Sequence, residues 1–194
     1  MIDKGLGAGF IKDLDLLETE IDTVYWRIVK PAWDVDTHRY PNTLYGFVMD
    51  CFAALDVVSR HWEGKDRPRT PRMRDFMDKY VAPDREANDV AIQMWRHTLM
   101  HTGKPRDLLD SRTGIRYRWL LHWSTEQLPR SQHMQLQLPD PKMRILNLAL
   151  TELVKDLRTG FNAYIAELRT ETVLQQNFFL TQSEVELQPF ETRR

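Results

Sequence analysis

Asp84-Arg85-Glu86-Ala87-Asn88-Asp89-Val90-Ala91-Ile92-Gln93-Met94-Trp95-Arg96-His97-Thr98-Leu99-Met100-His101-Thr102-Gly103 is the stretch that decides the fold of this chain. Asp84 is a good helix N-cap, because its carboxylate can accept from the free N–H groups of the first turn. Gly103 can adopt the left-handed C-terminal cap and Pro105 cannot continue a helix, so a helix is expected from 84 to about 102. Ala87, Val90, Ala91, Met94 and Thr98 form one stripe along it, while Ile92, Trp95 and Leu99 lie on another side. A helix that is apolar on more than one face is buried on more than one face. Either it runs through the middle of a bundle or it packs against a second subunit.

Upstream, Leu14, Leu17, Ile21, Val24 and Ile28 step by three and four, predicting a helix over 11–30 that Pro31 ends. Leu44, Phe47, Cys51, Leu55, Val58 and Trp62 predict a second helix over 42–63, closed by Gly64. A basic connector follows. Thr70 and Pro71 then open a short helix to about Val81, using Met73, Phe76, Met77 and Tyr80. Downstream the period changes to two. Ile115, Tyr117, Trp119, Leu121 and Trp123 alternate with Arg116, Arg118, Leu120 and His122, and Met134, Leu136 and Leu138 alternate with glutamines. With a short strand over 107–110, these predict an antiparallel β-meander over 106–138. Leu146, Leu150, Leu153, Leu157, Phe161, Tyr164 and Leu168 then predict a long helix over 142–170, with Gly160 a local weakness or a close-packing point. Residues 171–194 read as a polar C-terminal arm. The expected fold is mainly α: a single domain over 1–194, with four helices in 11–103, a small meander and a last long helix.

Composition narrows the function. A formal net charge of −1 gives no global attraction to nucleic acid, so any basic surface must be local. One cysteine, Cys51, excludes an internal disulfide and a cysteine-based zinc site, and it fits a reducing cytoplasm. No apolar run reaches the roughly 18 residues of a membrane span, and no leader peptide is expected. Gly5, Gly7 and Gly9 follow no strand and precede no Gly-Lys-Ser/Thr, so they do not form a nucleotide loop.

The chemistry-bearing residues sit at the end of the helix over 84–102. Arg96 is suited to hold a phosphate by bidentate hydrogen bonds and to offset charge developing on it. His101 is suited to move a proton to or from a ribose 2′-hydroxyl or a leaving oxygen, with no metal required. In α-helical geometry the two are about 140° apart around the axis. Apposition of the same helix from two chains would bring both pairs into one cleft.

Arg96 and His101, separated by four residues, resemble the Arg-x4–6-His motif of the HEPN superfamily of small helical bundles. His97 fills the polar position after the Arg. The helices of 11–103 and one long helix after the motif agree with the family pattern. The resemblance implies a homodimer with the motif at its interface. Active members resemble metal-independent endoribonucleases that are toxins or defence effectors, for which an antitoxin protein is a further partner. Other members bind nucleotides, RNA or proteins without cleavage. An additional acidic residue accompanies the motif in some active members, and Asp50 and Asp56 are the candidates for it here.

The expected catalytic set is Arg96, His101 and His97. Arg67, Arg69, Arg72, Arg74, Lys104, Arg106, Arg116 and Arg118 are the expected phosphate-tracking residues beside it. His97 and His101 share a helix face but have no third ligand of comparable support, so no metal or other cofactor is expected. Ser59 and His61 are too close along their helix to act as nucleophile and base. The competing reading is a non-catalytic module that uses the same scaffold to bind RNA, nucleotide or protein. Two Arg96–His101 pairs lining one open cleft across a two-fold axis favour cleavage; burial of either side chain in a closed salt bridge favours the module.

Overall fold

The computed structural model describes residues 5–31, 43–64, 68–82, 84–98 and 105–185. Among them the chain forms α1 (Ala8–Val24), which continues as a π-helical turn over Tyr25–Val29, then α2 (Thr43–Glu63) and α3 (Arg69–Tyr80). Next comes α4 (Arg85–Ala91), which continues as a π-helical segment over Ile92–Thr98. Four strands follow: β1 (Leu108–Leu109), β2 (Arg116–His122), β3 (Leu136–Asp140) and β4 (Met143–Ala149). Two helices complete the order, α5 (Leu150–Leu168) and α6 (Thr172–Val185). The architecture is mainly helical with a small mixed sheet. No helix among the described residues is long and apolar enough to cross a membrane.

The α2 helix is the hub. Leu44, Val48, Cys51, Phe52, Leu55 and Val58 are all buried, and the helix touches α1, α3, α5, α6 and the π segment of α4. An apolar residue at every third or fourth position gives such a helix a continuous core-facing stripe. Full burial raises the Cys51 thiol pKa and makes the residue a small core hydrophobe. Asp84 caps α4 as its sequence predicts, accepting from the Ala87 N–H at 3.0 Å. Both apolar sides of α4 are satisfied within one chain. Ala87, Val90, Ala91, Ile92, Met94 and Trp95 are buried between α3, α2 and the sheet. Trp95 meets Trp119 of β2 edge to face at 5.2 Å. The first of the two alternatives therefore accounts for this helix, and its pattern needs no second subunit.

The sheet departs from the expected antiparallel meander. Its order is β1-β2-β4-β3, and β2 and β4 are parallel, paired from Arg116↔Met143 to His122↔Ala149. A parallel pair needs a crossover. Residues 123–142 supply it, and they carry β3, which turns back through Pro141-Lys142 to pair antiparallel with the far edge of β4. Met143–Ala149 is thus a strand, and the long helix spans Leu150–Leu168 rather than 142–170. The crossover is held by His133, which is buried: its Nδ1 accepts the Ala149 N–H at 3.0 Å, and its Nε2 lies 3.3 Å from Asp156.

Much of the expected C-terminal arm is a docked helix. On α6, Phe178 is buried against Phe10 and His61, the Asn177 side chain donates to the Trp62 carbonyl at 2.8 Å, and Thr181 donates to the Arg60 carbonyl at 3.3 Å. The docking point is Gly64, at φ 66°, where a Cβ would overlap the Asn177 side chain. Gly160 is the close-packing point of α5. A Cβ there would lie 2.8 Å from the Tyr80 carbonyl oxygen.

Candidate functional site

Three helices bring charged groups to one corner beside the motif. The carboxylate of Asp56, on α2, accepts from Arg96 Nη2 at 2.8 Å with one oxygen and from Arg72 Nη2 of α3 with the other. Arg69 Nε is 4.0 Å away, at the outer rim. The Arg72 Nε also donates to the Ser59 hydroxyl at 3.3 Å, and that hydroxyl donates to the Asp56 backbone carbonyl at 3.0 Å. Arg72 and Arg96 are buried, with side chains only 4% and 8% exposed, whereas the Arg69 side chain is 66% exposed. Charge-assisted bonds of this kind are stronger than neutral ones, and sharing one carboxylate fixes two guanidinium planes relative to each other.

The π winding places the corner. From Ile92 to Thr98 the hydrogen bonding widens from i→i+4 to i→i+5, a form that occurs as short bulges and often at functional sites. Trp95 is driven into the sheet, and the next residue, Arg96, is delivered to α2. His97 turns to α3, where its Nε2 is 2.7 Å from the Thr70 hydroxyl. The Thr98 hydroxyl donates to the Met94 carbonyl and accepts the Arg106 N–H at 3.2 Å, so the chain returns beside the end of α4.

A cavity of about 190 Å3 opens above the ion pairs, lined by Asp56, Val57, Arg60, Arg69 and Arg72. Three guanidiniums against one carboxylate make its walls net positive. The other expected basic residues are elsewhere. Arg74 is bound to Asp89 at 3.1 and 3.2 Å and to Asp75 at 3.5 Å. Arg116 and Arg118 lie on the outer face of the sheet, opposite the Trp119 face, and Arg118 sits 3.4 Å from Asp107. Arg106 is exposed just before β1. His101, Arg67 and Lys104 lie outside the described residues. The structure thus gathers Arg69, Arg72 and Arg96 around Asp56, holds His97 against Thr70 of α3, and does not join Arg74, Arg116 or Arg118 to Asp56.

Of the two acidic candidates, Asp56 occupies the corner. Asp50 faces α1, where partial desolvation and the nearby Glu20 raise its carboxyl pKa. No spacing rule links Asp56 to Arg96, which is 40 residues away. The only sequence signal is a carboxylate within an otherwise apolar helix stretch, Leu55 to Val58. Ser59, too close to His61 along the helix to be a nucleophile, belongs to this hydrogen-bond network through Arg72 and the Asp56 carbonyl. Among the described residues no group of three His, Cys, Asp or Glu side chains is placed to hold a metal ion.

No family model, curated protein or solved structure matches this chain.

Proposed function

We propose that this chain is an HEPN-like protein that engages RNA at the Asp56 corner, with a backbone phosphate entering the cavity beside Arg69 and Arg72. The observation that carries the reading is the convergence of the buried Arg72 and Arg96 on one part-buried carboxylate next to a cavity walled by guanidiniums. Arg69 is exposed and only loosely paired, so it is the group free to fork two phosphate oxygens. Arg72, held by Asp56, adds a fixed positive wall that a phosphate meets without reorganisation.

Cleavage is the catalytic form of this proposal. Arg96 offsets charge on the scissile phosphate, and His101, five positions on, takes the 2′-hydroxyl proton. The 2′-oxygen attacks phosphorus, the bond to the 5′-oxygen breaks, the His101 imidazolium returns the proton to that oxygen, and the products are a 2′,3′-cyclic phosphate and a 5′-hydroxyl. A homodimer that pairs two such corners would complete the cleft.

The second reading is a non-catalytic RNA-binding module. It is favoured by the 7% exposure of Arg96 and its closed pair with Asp56, which make Arg96 a strut for the corner rather than a group presented to solvent. Incubating RNA in EDTA with wild type, His101→Ala and Arg96→Ala separates the two. Wild-type cleavage lost in His101→Ala, with RNA binding retained, supports the enzyme. RNA binding with no cleavage by any of the three supports the module. Neither binding nor cleavage by the wild type removes both.

A further inference from the structure

A concavity larger than the one at the Asp56 corner is present among the described residues. It lies on the other side of α4, between that helix and the β1 edge of the sheet, and encloses about 600 Å3. That is within the roughly 300–1,000 Å3 of small-ligand sites. Its floor is apolar: Val90 from α4, Leu108 and Leu109 from β1, and the ring of Tyr117 from β2. Leu109 is 67% exposed, a large apolar side chain left facing the groove.

The rim has a definite charge. Glu86, Asp89 and Asp110 face one guanidinium, Arg85. Arg85 is already engaged, its Nη1 lying 3.1 Å from Asp75 and also bonded to Asp78, so its charge is offset from behind. Asp110 is held ionised by hydrogen bonds from the Thr113 hydroxyl and the Arg112 N–H, which lower its pKa. Arg74 meets Asp89, at 3.1 Å. Glu86 accepts the Tyr117 phenol at 2.8 Å, and partial burial with that carboxylate nearby keeps the phenol protonated, its pKa pushed up to about 12. The balance is an apolar floor under a net negative rim, the opposite sign to the Arg60–Arg69–Arg72 cavity.

We propose that this groove is a binding site for a small amphiphilic organic cation, with an aromatic or branched body on Leu108, Leu109 and Val90 and an ammonium at Glu86 and Asp110. The charge of the rim excludes a nucleic-acid phosphate. A small molecule suits the groove better than an extended peptide, because β1 is two residues long and offers little edge for strand pairing. The site does not depend on the RNA reading. It does share α4 with Arg96, so an occupant would contact the helix that delivers the corner.

The probe is tryptamine, with indole-3-acetate as the same ring carrying the opposite charge, read by amide chemical-shift perturbation of the full chain. Tryptamine is expected to shift the Val90, Gln93, Leu108 and Leu109 amides saturably. Indole-3-acetate is expected to bind at least about fivefold more weakly, the effect of a single charge near 4 Å in a water-like medium. Leu109→Arg, at an exposed position, is expected to abolish tryptamine binding without altering the fold, and Glu86→Gln to weaken it severalfold. Equal binding of the two indoles, shifts confined to other surfaces, or unchanged binding by Leu109→Arg would overturn the proposal. So would tight binding of a basic peptide to the groove with none of tryptamine.

Discussion

Replacing Asp56 by alanine tests whether the corner is an energetic keystone or a set of surface charges. The substitution strands two guanidiniums. The Arg96 and Arg72 side chains are 8% and 4% exposed, and each directs a donor at the carboxylate. A hydrogen bond to a charged group contributes about 1.5–3 kcal/mol, and removing one partner of a buried pair costs about 3–5 kcal/mol because the other charge is left uncompensated. Asp56 is itself 20% exposed, so water reaches the vacated space and the lower end applies, about 3 kcal/mol. For a chain of this size that is a fall of about 6–12 °C in Tm. Urea unfolding followed by circular dichroism, at equal slope, measures it directly. Arg69→Ala is the control, because that side chain is 66% exposed and 4.0 Å from the carboxylate, and its effect should stay within about 0.5 kcal/mol. An Asp56→Ala protein within about 1 kcal/mol of wild type would mean the pairs are ordinary surface contacts, and the reasoning for a preorganised corner would collapse.

The remaining predictions concern stability and its pH dependence. His61 is buried against Phe10 and Phe178, and its Nδ1–H donates to the Val57 carbonyl at 2.9 Å; burial lowers its pKa below the ordinary 6.5. Burial lowers His122 in the same way. In the window just below 6.5 the unfolded chain binds more protons than the folded one, so stability is full above 6.5 and declines as pH falls towards the depressed values. Asp156 and Glu167, whose pKa values are lowered, lose their contribution only below about pH 4 and do not confuse that window. Unfolding midpoints measured from pH 7.5 to 5 should fall in wild type and fall less in His61→Gln; a flat profile would contradict the burial argument. Gly160→Ala should destabilise by about 1–3 kcal/mol although alanine is the better helix former, because its Cβ would sit 2.8 Å from the Tyr80 carbonyl oxygen and 2.9 Å from Val81 Cγ2. A rise in Tm would show that α3 and α5 do not approach so closely.

The helices before the sheet were legible because their signals are local. Leu14, Leu17 and Ile21 step by three and four, Asp84 caps its own helix, and Gly64 ends α2. The strand β4 was not, and the reason is Leu146. It continues the spacing of Leu150, Leu153 and Leu157 backwards, so the helix stripe runs on without a break. Only pairing with Arg116–His122, far away in sequence, makes Met143–Ala149 a strand. The parallel sense of that pair is equally non-local. The helix α6 was hidden by its polar composition, since it docks through few side chains, chiefly Phe178 and Asn177. Both apolar sides of α4 were visible, but whether one chain or two would cover them is a question of tertiary packing.

The site divides in the same way. Arg96 and His97 stand out by motif, and Asp56 stood only beside Asp50 as a candidate. What separates the two is a contact across 40 residues that no periodicity encodes. The run Arg67, Arg69, Arg72, Arg74 looked like one basic patch, yet rotation along α3 sends Arg72 inward to Asp56 and Arg74 to Asp89. The widening to i→i+5 over Ile92–Thr98 follows no proline or glycine and has no signature in the sequence.

The central claim is that a phosphate chain settles at the Asp56 corner, and single-stranded RNA binding as a function of salt measures it most directly. Fluorescence anisotropy with a labelled oligoribonucleotide, comparing wild type with Arg69→Glu, should show at least a tenfold loss of affinity and a shallower salt slope by about one phosphate contact in the variant. Identical isotherms and identical slopes for the two proteins would contradict it.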